Sequence, residues 1–167
     1  MQKKDLLFLT HLRQNARETL TRISKRTDIP ISTLYDKLKT LEKSLITKHT
    51  TLIDFTKLGY LCRANITIKV NITDREEVKK YLQCQENVNS LFKINNGYDY
   101  LIDAVFKHVK ELEDFLEKLE QKFPVNEKQV YYIIEDIKRE AFLSDPEIVN
   151  MLLKENNQMN IIDPIIL

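Results

Sequence analysis

The sequence predicts an α+β protein in which a small helical region precedes an antiparallel sheet covered by helices on one face. Three observations lead to this fold class. Apolar residues recur at helical spacing in the first quarter of the chain, strand and helix patterns alternate after it, and charge divides the two parts. Residues 1–60 contain 12 Lys and Arg against 6 Asp and Glu, whereas residues 61–167 contain 14 against 19. A basic part beside an acidic part indicates that only one of them contacts a polyanion.

The composition of the 167 residues excludes several protein classes. A hydrophobic fraction of 43% is sufficient for packed cores, and two Gly and four Pro argue against long flexible linkers. No apolar run approaches the roughly 20 residues that cross a bilayer, and the N-terminus does not resemble a signal peptide. Cys62 and Cys84 have neither a CxxC spacing nor a nearby histidine pair, so we expect no disulfide, metal or cofactor. These features are typical of a cytoplasmic protein with reduced cysteines.

The basic part begins with two predicted helices joined by the connection Asn15-Ala16-Arg17. Thr19 has the residue type and the position of an N-cap for the second helix. That helix is expected to stop at Asp28, which tolerates a left-handed conformation, and Pro30 keeps the preceding residue out of a helix. The first helix carries an apolar stripe of Leu6, Leu7, Leu9 and Leu12.

A third helix is predicted from Ile31 or Ser32 to Lys43. One side of it is a buried seam with apolar residues at positions i, i+4 and i+7. The seam consists of Leu34, Leu38 and Leu41. The opposite face is polar and carries one aromatic ring, as a helix that reads the major groove requires. This outward face consists of Ser32, Tyr35, Asp36, Lys39, Thr40 and Lys43.

Two further features complete a predicted winged helix-turn-helix. Ser32 and Thr33 begin the third helix, where amides and hydroxyls commonly hold a phosphate. The Thr-rich residues 47–55 predict a short β-hairpin, the wing, with Lys48 near its tip. The alternative is a three-helix domain whose polar side chains are merely solvated. The predicted DNA-binding residues are Thr19, Arg22, Ser32, Thr33, Tyr35, Asp36, Lys39, Thr40, Lys43 and Lys48.

The acidic part shows four strand patterns and two amphipathic helix patterns in the order βαββαβ. The strands are predicted at residues 61–70, 88–94, 101–107 and 128–137, and the helices at 74–85 and 109–123. This order predicts a ferredoxin-like sandwich, a four-stranded antiparallel sheet with both helices on one face. The other face is predicted to be apolar as well, so we expect two chains to dimerise by packing these faces together. Its apolar residues are Val105 or Ile102 and one of Tyr131 and Tyr132.

In this order and spacing, residues 3–138 resemble the Lrp/AsnC, or feast/famine, transcriptional regulators. The matching elements are Asp5 with the leucine stripe, Asn15-Ala16-Arg17, Ile23, the run Leu34…Lys37-Leu38…Leu41-Glu42, and Ile53-Asp54…Leu58-Gly59. The resemblance implies a DNA-binding domain over residues 1–60 and a dimerisation and effector domain over 61–140. It also implies dimers that often assemble further and that read pseudo-palindromic DNA.

The segment Asn96-Gly97-Tyr98-Asp99-Tyr100 resembles the Gly-x-x-Asp-Tyr turn of this family, with Asn96 in the Gly position. In the family this region lies near a subunit-interface site for small effectors, often amino acids. The alternative is a plain β-hairpin turn in which Asn and Gly satisfy the backbone geometry. The residues that the resemblance implies for an effector site are Asn96, Gly97, Tyr98 and Asp99.

Residues 141–167 are predicted to form a short C-terminal helix and an apolar tail. Ser144 and Glu147 have the spacing of a capping box, and an amphipathic pattern follows. We expect the apolar tail to cover the chain's own sheet edge or to cross to a second subunit.

Two other functions are compatible with such an architecture. A tetrapyrrole decarboxylase would need a proton-donating histidine in a cationic pocket, and none of His11, His49 and His108 lies in a basic cluster of the sequence. The other function is that of a winged-helix module that binds protein and no DNA. The sequence therefore favours a DNA-binding regulator.

Overall fold

The structure, a computed structural model, describes residues 3–155. These residues form two compact units, one combining residues 3–51 with 137–155 and the other comprising residues 52–136. The predicted docking of the apolar tail concerns residues 156–167, which lie outside the described residues. Among the helices of residues 3–155, none combines the length and the apolar character that a membrane span requires.

The described chain contains six α-helices and four strands. In chain order they are α1 (Lys3–Gln14), α2 (Leu20–Thr27), α3 (Ile31–Ser44), β1 (Cys62–Val70), α4 (Arg75–Gln83), β2 (Val88–Lys93), β3 (Tyr100–Phe106), α5 (Val109–Lys122), β4 (Val125–Tyr132) and α6 (Pro146–Glu155). Two short 3-10 turns lie at Phe55–Leu58 and Ile72–Asp74.

The core of the first unit lies between α1, α2 and α3. It consists of Phe8, Leu12, Ile23, Ile29, Leu34 and Leu41, with Leu20, Leu38 and Ile46 packed at its margin. The predicted leucine seam of α3 is therefore confirmed. In α1 the fully buried apolar side chain is Phe8, and the leucines at 6, 7 and 9 are only half-buried. Phe8 and Leu12 are one helical turn apart and so share the inward face, which leaves the other leucines beside it.

The turn between α2 and α3 forms as predicted. The Thr19 Oγ1 accepts a hydrogen bond from the Arg22 amide at the start of α2. Asp28 ends α2 with a φ of 54°, a left-handed conformation that Asp adopts more readily than most residues. Pro30 then precedes the first residue of α3.

The predicted β-hairpin of the wing is wrong. Residues 46–54 are all described and contain no strand, so Lys48 lies exposed on an irregular segment and not at a hairpin tip. This segment has no Gly or Asn at which a tight turn can form, and an isolated two-stranded hairpin is only marginally stable in water. The alternation of apolar and polar residues in this segment is not sufficient to form a hairpin without such a turn and without further strands.

The second unit is a four-stranded antiparallel sheet with the strand order β2-β3-β1-β4, which confirms the βαββαβ prediction. Helices α4 and α5 cover one face of the sheet. Their side of the core consists of Val78, Leu82, Leu112, Phe115, Leu116, Leu119 and Phe123, against Cys62, Ala64, Ile66, Ile68 and Val70 of β1. Burial raises the pKa of the Cys62 thiol, and both cysteines are free.

Strand β4 begins three residues earlier than predicted and ends at Tyr132. It pairs with β1 from Val70 opposite Val125 to Ala64 opposite Tyr132. The apolar residues after Tyr132 misled the prediction, since Ile134 is 93% exposed. The first and last residues of β4 are therefore set by the length of β1, with which it pairs, and not by the alternation of apolar and polar residues in β4 itself.

The face of the sheet away from the helices is mixed, and the prediction of a second apolar face is corrected. Ile102 is fully buried on the helix side, whereas Val105 and Tyr131 lie on the open face as expected. Polar residues alternate with them, because the outward positions of β1 are Arg63, Asn65, Thr67 and Lys69. The open face of the sheet therefore offers less apolar surface for packing against a second chain than the sequence indicated.

The C-terminal segment belongs to the first unit, where α6 packs against α1. The predicted capping box is shifted by one residue. The Asp145 Oδ1 accepts hydrogen bonds from the amides of Glu147 at 2.9 Å and Ile148 at 3.4 Å, while the Ser144 hydroxyl donates to the Ala141 carbonyl. The helix begins at Pro146, a residue favoured at the first helical position, so the residue before it becomes the cap.

Candidate DNA-binding and effector sites

Helix α3 has a polar side that is open to solvent. Its two most buried leucines point into the core of the first unit, and all six residues predicted for the opposite face are exposed. These residues are Ser32, Tyr35, Asp36, Lys39, Thr40 and Lys43. We call this set the α3 surface.

The α3 surface carries groups that complement different base edges. The Lys39 ammonium lies 4.5 Å from the centre of the Tyr35 ring, a cation–π contact that holds the lysine over the helix. The Thr40 hydroxyl donates to the Asp36 carbonyl at 3.0 Å. A lysine donates to guanine or phosphate oxygens, and an aspartate accepts from the cytosine amino group. The surface therefore has the donors and acceptors of a sequence-reading helix.

The N-terminus of α3 has amides available for an anion. Pro30 precedes the helix and no side chain caps it, so the first-turn amides have no acceptor within the helix. Ser32 is exposed there and Thr33 is half-buried. Backbone amides and hydroxyls at a helix start are typical phosphate ligands.

Helix α2 adds cations that the sequence analysis named only in part. Arg22 is exposed in its first turn, and Lys25 and Arg26 follow on the same side at i+3 and i+4. Arg26 pairs with Glu18 at 3.0 Å. Lys25 and Arg26 were missed, although their spacing from Arg22 was available in the sequence. The Thr19 hydroxyl caps this helix, which occupies its acceptor.

Two other basic side chains, one on α3 and one after it, have partners within the chain. Lys37 forms an ion pair with Asp5 of α1, which joins the first and third helices. The His49 Nε2 lies 3.3 Å from a carboxylate oxygen of Glu42, and both side chains are largely exposed. Lys37 therefore serves the fold, since its ammonium is turned toward α1.

The predicted effector segment forms a tight hairpin turn between β2 and β3. Asn96 has a φ of 62° and Gly97 a φ of 89°, and consecutive positive values are typical of a type I′ turn. Asn96 and Gly97 are exposed, and Tyr98 is half-buried. The backbone geometry thus accounts for Asn and Gly at these positions.

The carboxylate of Asp99 is already engaged inside the second unit. One oxygen accepts from the Val70 amide at 2.9 Å, and the other lies 2.7 Å from the Arg75 guanidinium. The side chain is only 8% exposed. Asp99 therefore anchors the turn to the end of β1, and its carboxylate is not open to a ligand in this arrangement.

A second polar cluster lies on the open face of the sheet and was not predicted. The Arg63 guanidinium donates to both oxygens of Asp103, at 2.9 and 3.2 Å, and also pairs with Asp136 at 2.9 Å. The Asn89 amide donates to Asp103 at 2.6 Å. The hydrogen bond to Asp103 is the main reason that the pKa of Arg63 is raised. The sequence carries no local signal for this cluster, because its members belong to different strands.

Comparison with known proteins gives one family. A sequence profile described as the Lrp/AsnC ligand binding domain matches residues 63–142. The HTH-type transcriptional regulator FL11 of Pyrococcus abyssi is 31% identical over 114 residues, which are 68% of this chain and 76% of that protein. An uncharacterised HTH-type transcriptional regulator of Pyrococcus furiosus is 27% identical over 73% of this chain and 81% of its own length.

Solved structures share the same fold at lower identity. A transcriptional regulator of Neisseria meningitidis in complex with L-Met superimposes with a TM-score of 0.77 at 22% identity, over 83% of this chain and 93% of that one. Bacillus subtilis LrpC gives a TM-score of 0.75 at 20% identity, over 83% and 97% of the two chains. These similarities confirm the α+β fold class, with helices in the N-terminal part and a four-stranded antiparallel sheet with helices after them.

Proposed function

The chain belongs to the Lrp/AsnC family of helix-turn-helix transcriptional regulators, and we propose that it binds pseudo-palindromic DNA as a dimer or higher oligomer through the α3 surface. The observation that supports this assignment is the exposure of all six residues of that surface above a buried leucine seam. A helix held in this way can enter the major groove without disturbing the core beneath it.

Within the α3 surface we assign different roles to different side chains. Asp36, Lys39 and Lys43 read base edges or contact flanking phosphates. Ser32 and Thr33, with the free amides of the first turn, hold a phosphate that sets the register of the helix. We assign Thr19, Arg22 and Lys48 to contacts with the sugar-phosphate backbone of the DNA.

A dimer supplies the symmetry that this mode of DNA reading requires. Two recognition helices about 34 Å apart meet successive major grooves on one side of the duplex, so the two half-sites are inverted repeats. Phe92 and Tyr131, which are 52% and 53% exposed on the open face of the sheet, support packing of two chains there.

We also propose that an amino acid or a similar small molecule modulates the assembly at the β2–β3 turn. The support is the family and the L-Met bound to the Neisseria regulator of the same fold. Asn96, Gly97 and Tyr98 offer polar groups at the surface, while Asp99 positions the turn and does not itself bind the ligand. Sedimentation velocity with a panel of amino acids tests this, and an unchanged distribution for every member refutes it.

The surroundings of the three histidines favour a regulatory role over catalysis. His108 caps α5 by accepting from the Glu111 amide, His11 is buried in α1, and His49 is exposed beside Glu42. His11 and His49 each lie 3.3 Å from a carboxylate oxygen, of Glu18 and Glu42 respectively, and not beside the cations that a tetrapyrrole would require, which disfavours the decarboxylase. We place the protein in the cytoplasm, where the chromosome is accessible.

The decisive experiment removes the two lysines of the α3 surface together. Lys39→Ala with Lys43→Ala is expected to weaken binding to the DNA upstream of its own gene. Each phosphate that is no longer neutralised lowers the slope of log K against log salt by about 0.9, so the slope falls by up to about 2 per protomer. Fluorescence anisotropy between roughly 50 and 200 mM salt measures both quantities.

The matched control replaces Lys80 and Lys118, two exposed lysines on α4 and α5. It removes the same charge from the acidic unit and is expected to leave the affinity within about twofold, because charges beyond a Debye length are screened. Equal losses in both double variants would show that net charge, and not the α3 surface, controls binding. An unchanged affinity in the first variant refutes the assignment of α3.

A further inference from the structure

A shallow apolar groove lies on the C-terminal segment of the first unit. Its volume is about 390 Å³, and Phe142, Leu143, Ile148 and Val149 line most of it, with Lys138 at its edge. Phe142 is 79% exposed and Ile148 is 52% exposed, whereas Val149 is buried beneath them. The base of the groove is therefore formed by a buried side chain, and its sides are apolar and exposed to solvent.

The turn that forms one wall of the groove is held in a strained shape. Glu140 and Leu143 have φ values of 50° and 55°, which residues other than Gly seldom adopt. Arg13 of α1 holds this turn, because its guanidinium donates to the carbonyls of Glu140 and Phe142 at 3.1 Å each. The wall is therefore an ordered structure and not a loosely attached loop.

Two of the exposed apolar side chains of the described residues, Phe142 and Ile148, line the same groove. Ile137 and Met151 of the same C-terminal segment are 91% and 64% exposed. Exposed apolar side chains that line one groove mark a surface that another group covers. Isolated exposed leucines elsewhere on a protein need no such explanation.

We propose that residues 161–167 of the same chain, with the sequence IIDPIIL, occupy this groove. Five of these seven residues are Ile or Leu, which match the apolar walls. The groove is lined by one residue of each charge, Lys138 and Asp145, and Asp163, the one charged residue of the segment, complements Lys138. Pro164 favours an extended backbone on either side, the conformation that a groove of this shallowness accepts.

The length of chain after α6 is sufficient for this return. Helix α6 ends at Glu155, and Ile148 lies seven residues before that end, which is about 10 Å at 1.5 Å per residue. The five residues 156–160 span up to about 17 Å when extended. The apolar segment therefore reaches the groove without help from a second subunit.

This docking makes the C-terminal extension a structural part of the helix-turn-helix unit. It is independent of the proposed effector and of the way in which two chains pair. It also replaces the expectation that the tail covers a sheet edge, because the groove lies on the first unit.

Hydrogen–deuterium exchange of the full-length protein tests the contact. Replacing Ile161, Ile162, Ile165 and Ile166 by Ser is expected to accelerate exchange of the amides of Ser144 and Val149 by at least about tenfold. Both amides are hydrogen-bonded beside the groove, to the carbonyls of Ala141 and Asp145 respectively. The matched control replaces Asn156, Asn157, Gln158 and Asn160 by Ser, and its exchange is expected to equal that of the parent. Equal exchange in all three proteins overturns the proposal.

A disulfide experiment distinguishes the same chain from a second copy. Phe142→Cys and Ile165→Cys are combined in a chain that carries Cys62→Ala and Cys84→Ser, and mild oxidation is followed by a non-reducing denaturing gel. A cross-linked monomer supports the proposal. A cross-linked dimer would show that the tail of another subunit occupies the groove. The absence of any cross-link would show that the tail does not bind there. Either result overturns the proposal.

Discussion

Replacing Arg63 by Met is expected to lower the free energy of unfolding by about 3 kcal/mol. Arg63 donates to both oxygens of Asp103, and their side chains are only 20% and 10% exposed. Met preserves the unbranched apolar stem and removes the charge. Asp103 then keeps only the hydrogen bond from Asn89 and remains as a largely buried carboxylate without a cation.

The magnitude follows from what the substitution leaves behind. Removing one partner of a buried ion pair costs roughly 3–5 kcal/mol, because the other charge stays desolvated. The Arg63–Asp103 pair retains some contact with water, so the lower end of this range applies. The loss of the pairing with Asp136 adds less than about 1 kcal/mol, since that side chain is 48% exposed.

Urea denaturation followed by circular dichroism, at one protomer concentration, measures this change. Adding Asp103→Leu to Arg63→Met is expected to restore at least half of the loss. A single variant within about 1 kcal/mol of the parent, or a double variant that restores none of the loss, refutes the reasoning.

Three further predictions concern the turn, the core and the cap. Gly97→Ala is expected to cost about 1 kcal/mol of unfolding free energy in a thermal melt, because its φ of 89° disfavours a Cβ even though no atom lies within 4 Å of it. Leu34→Ala is expected to cost about 2–5 kcal/mol in the same assay, since the side chain is fully buried beneath the α3 surface. Thr19→Ala is expected to cost only about 0.5–1 kcal/mol, because the capping hydrogen bond is long at 3.4 Å, while Thr19→Ser keeps it.

The division of labour between the two units agrees with the division of charge. The unit that carries the α3 surface contains the exposed cations of α2 and α3, whereas the sheet places many of its charges in ion pairs such as Lys69–Glu127 and Lys128–Glu120. Paired charges of this kind neutralise one another and attract a polyanion weakly. The charge difference between the two parts of the sequence is therefore consistent with the proposed DNA-binding role of the first unit.

Much of the candidate DNA-binding surface could be predicted because it depends on one helix. The spacing of Leu34, Leu38 and Leu41 determines which side of α3 is buried, and the opposite side follows from the 100° step of a helix. Thr19 and Asp28 marked the ends of α2 through local hydrogen bonding and backbone preference. The turn between β2 and β3 was predictable to the same extent, since Asn96 and Gly97 are residue types that favour positive φ.

Only the tertiary structure decided the features that join distant parts of the chain. The absence of a hairpin at residues 46–54, the early start of β4, and the pairing of Arg63 with Asp103 all depend on what neighbouring segments offer. So does the engagement of Asp99 by Val70 and Arg75. Periodicity, capping and turn preference act over a few residues and can be read from one sequence, whereas pairing between strands is a property of the whole packed chain.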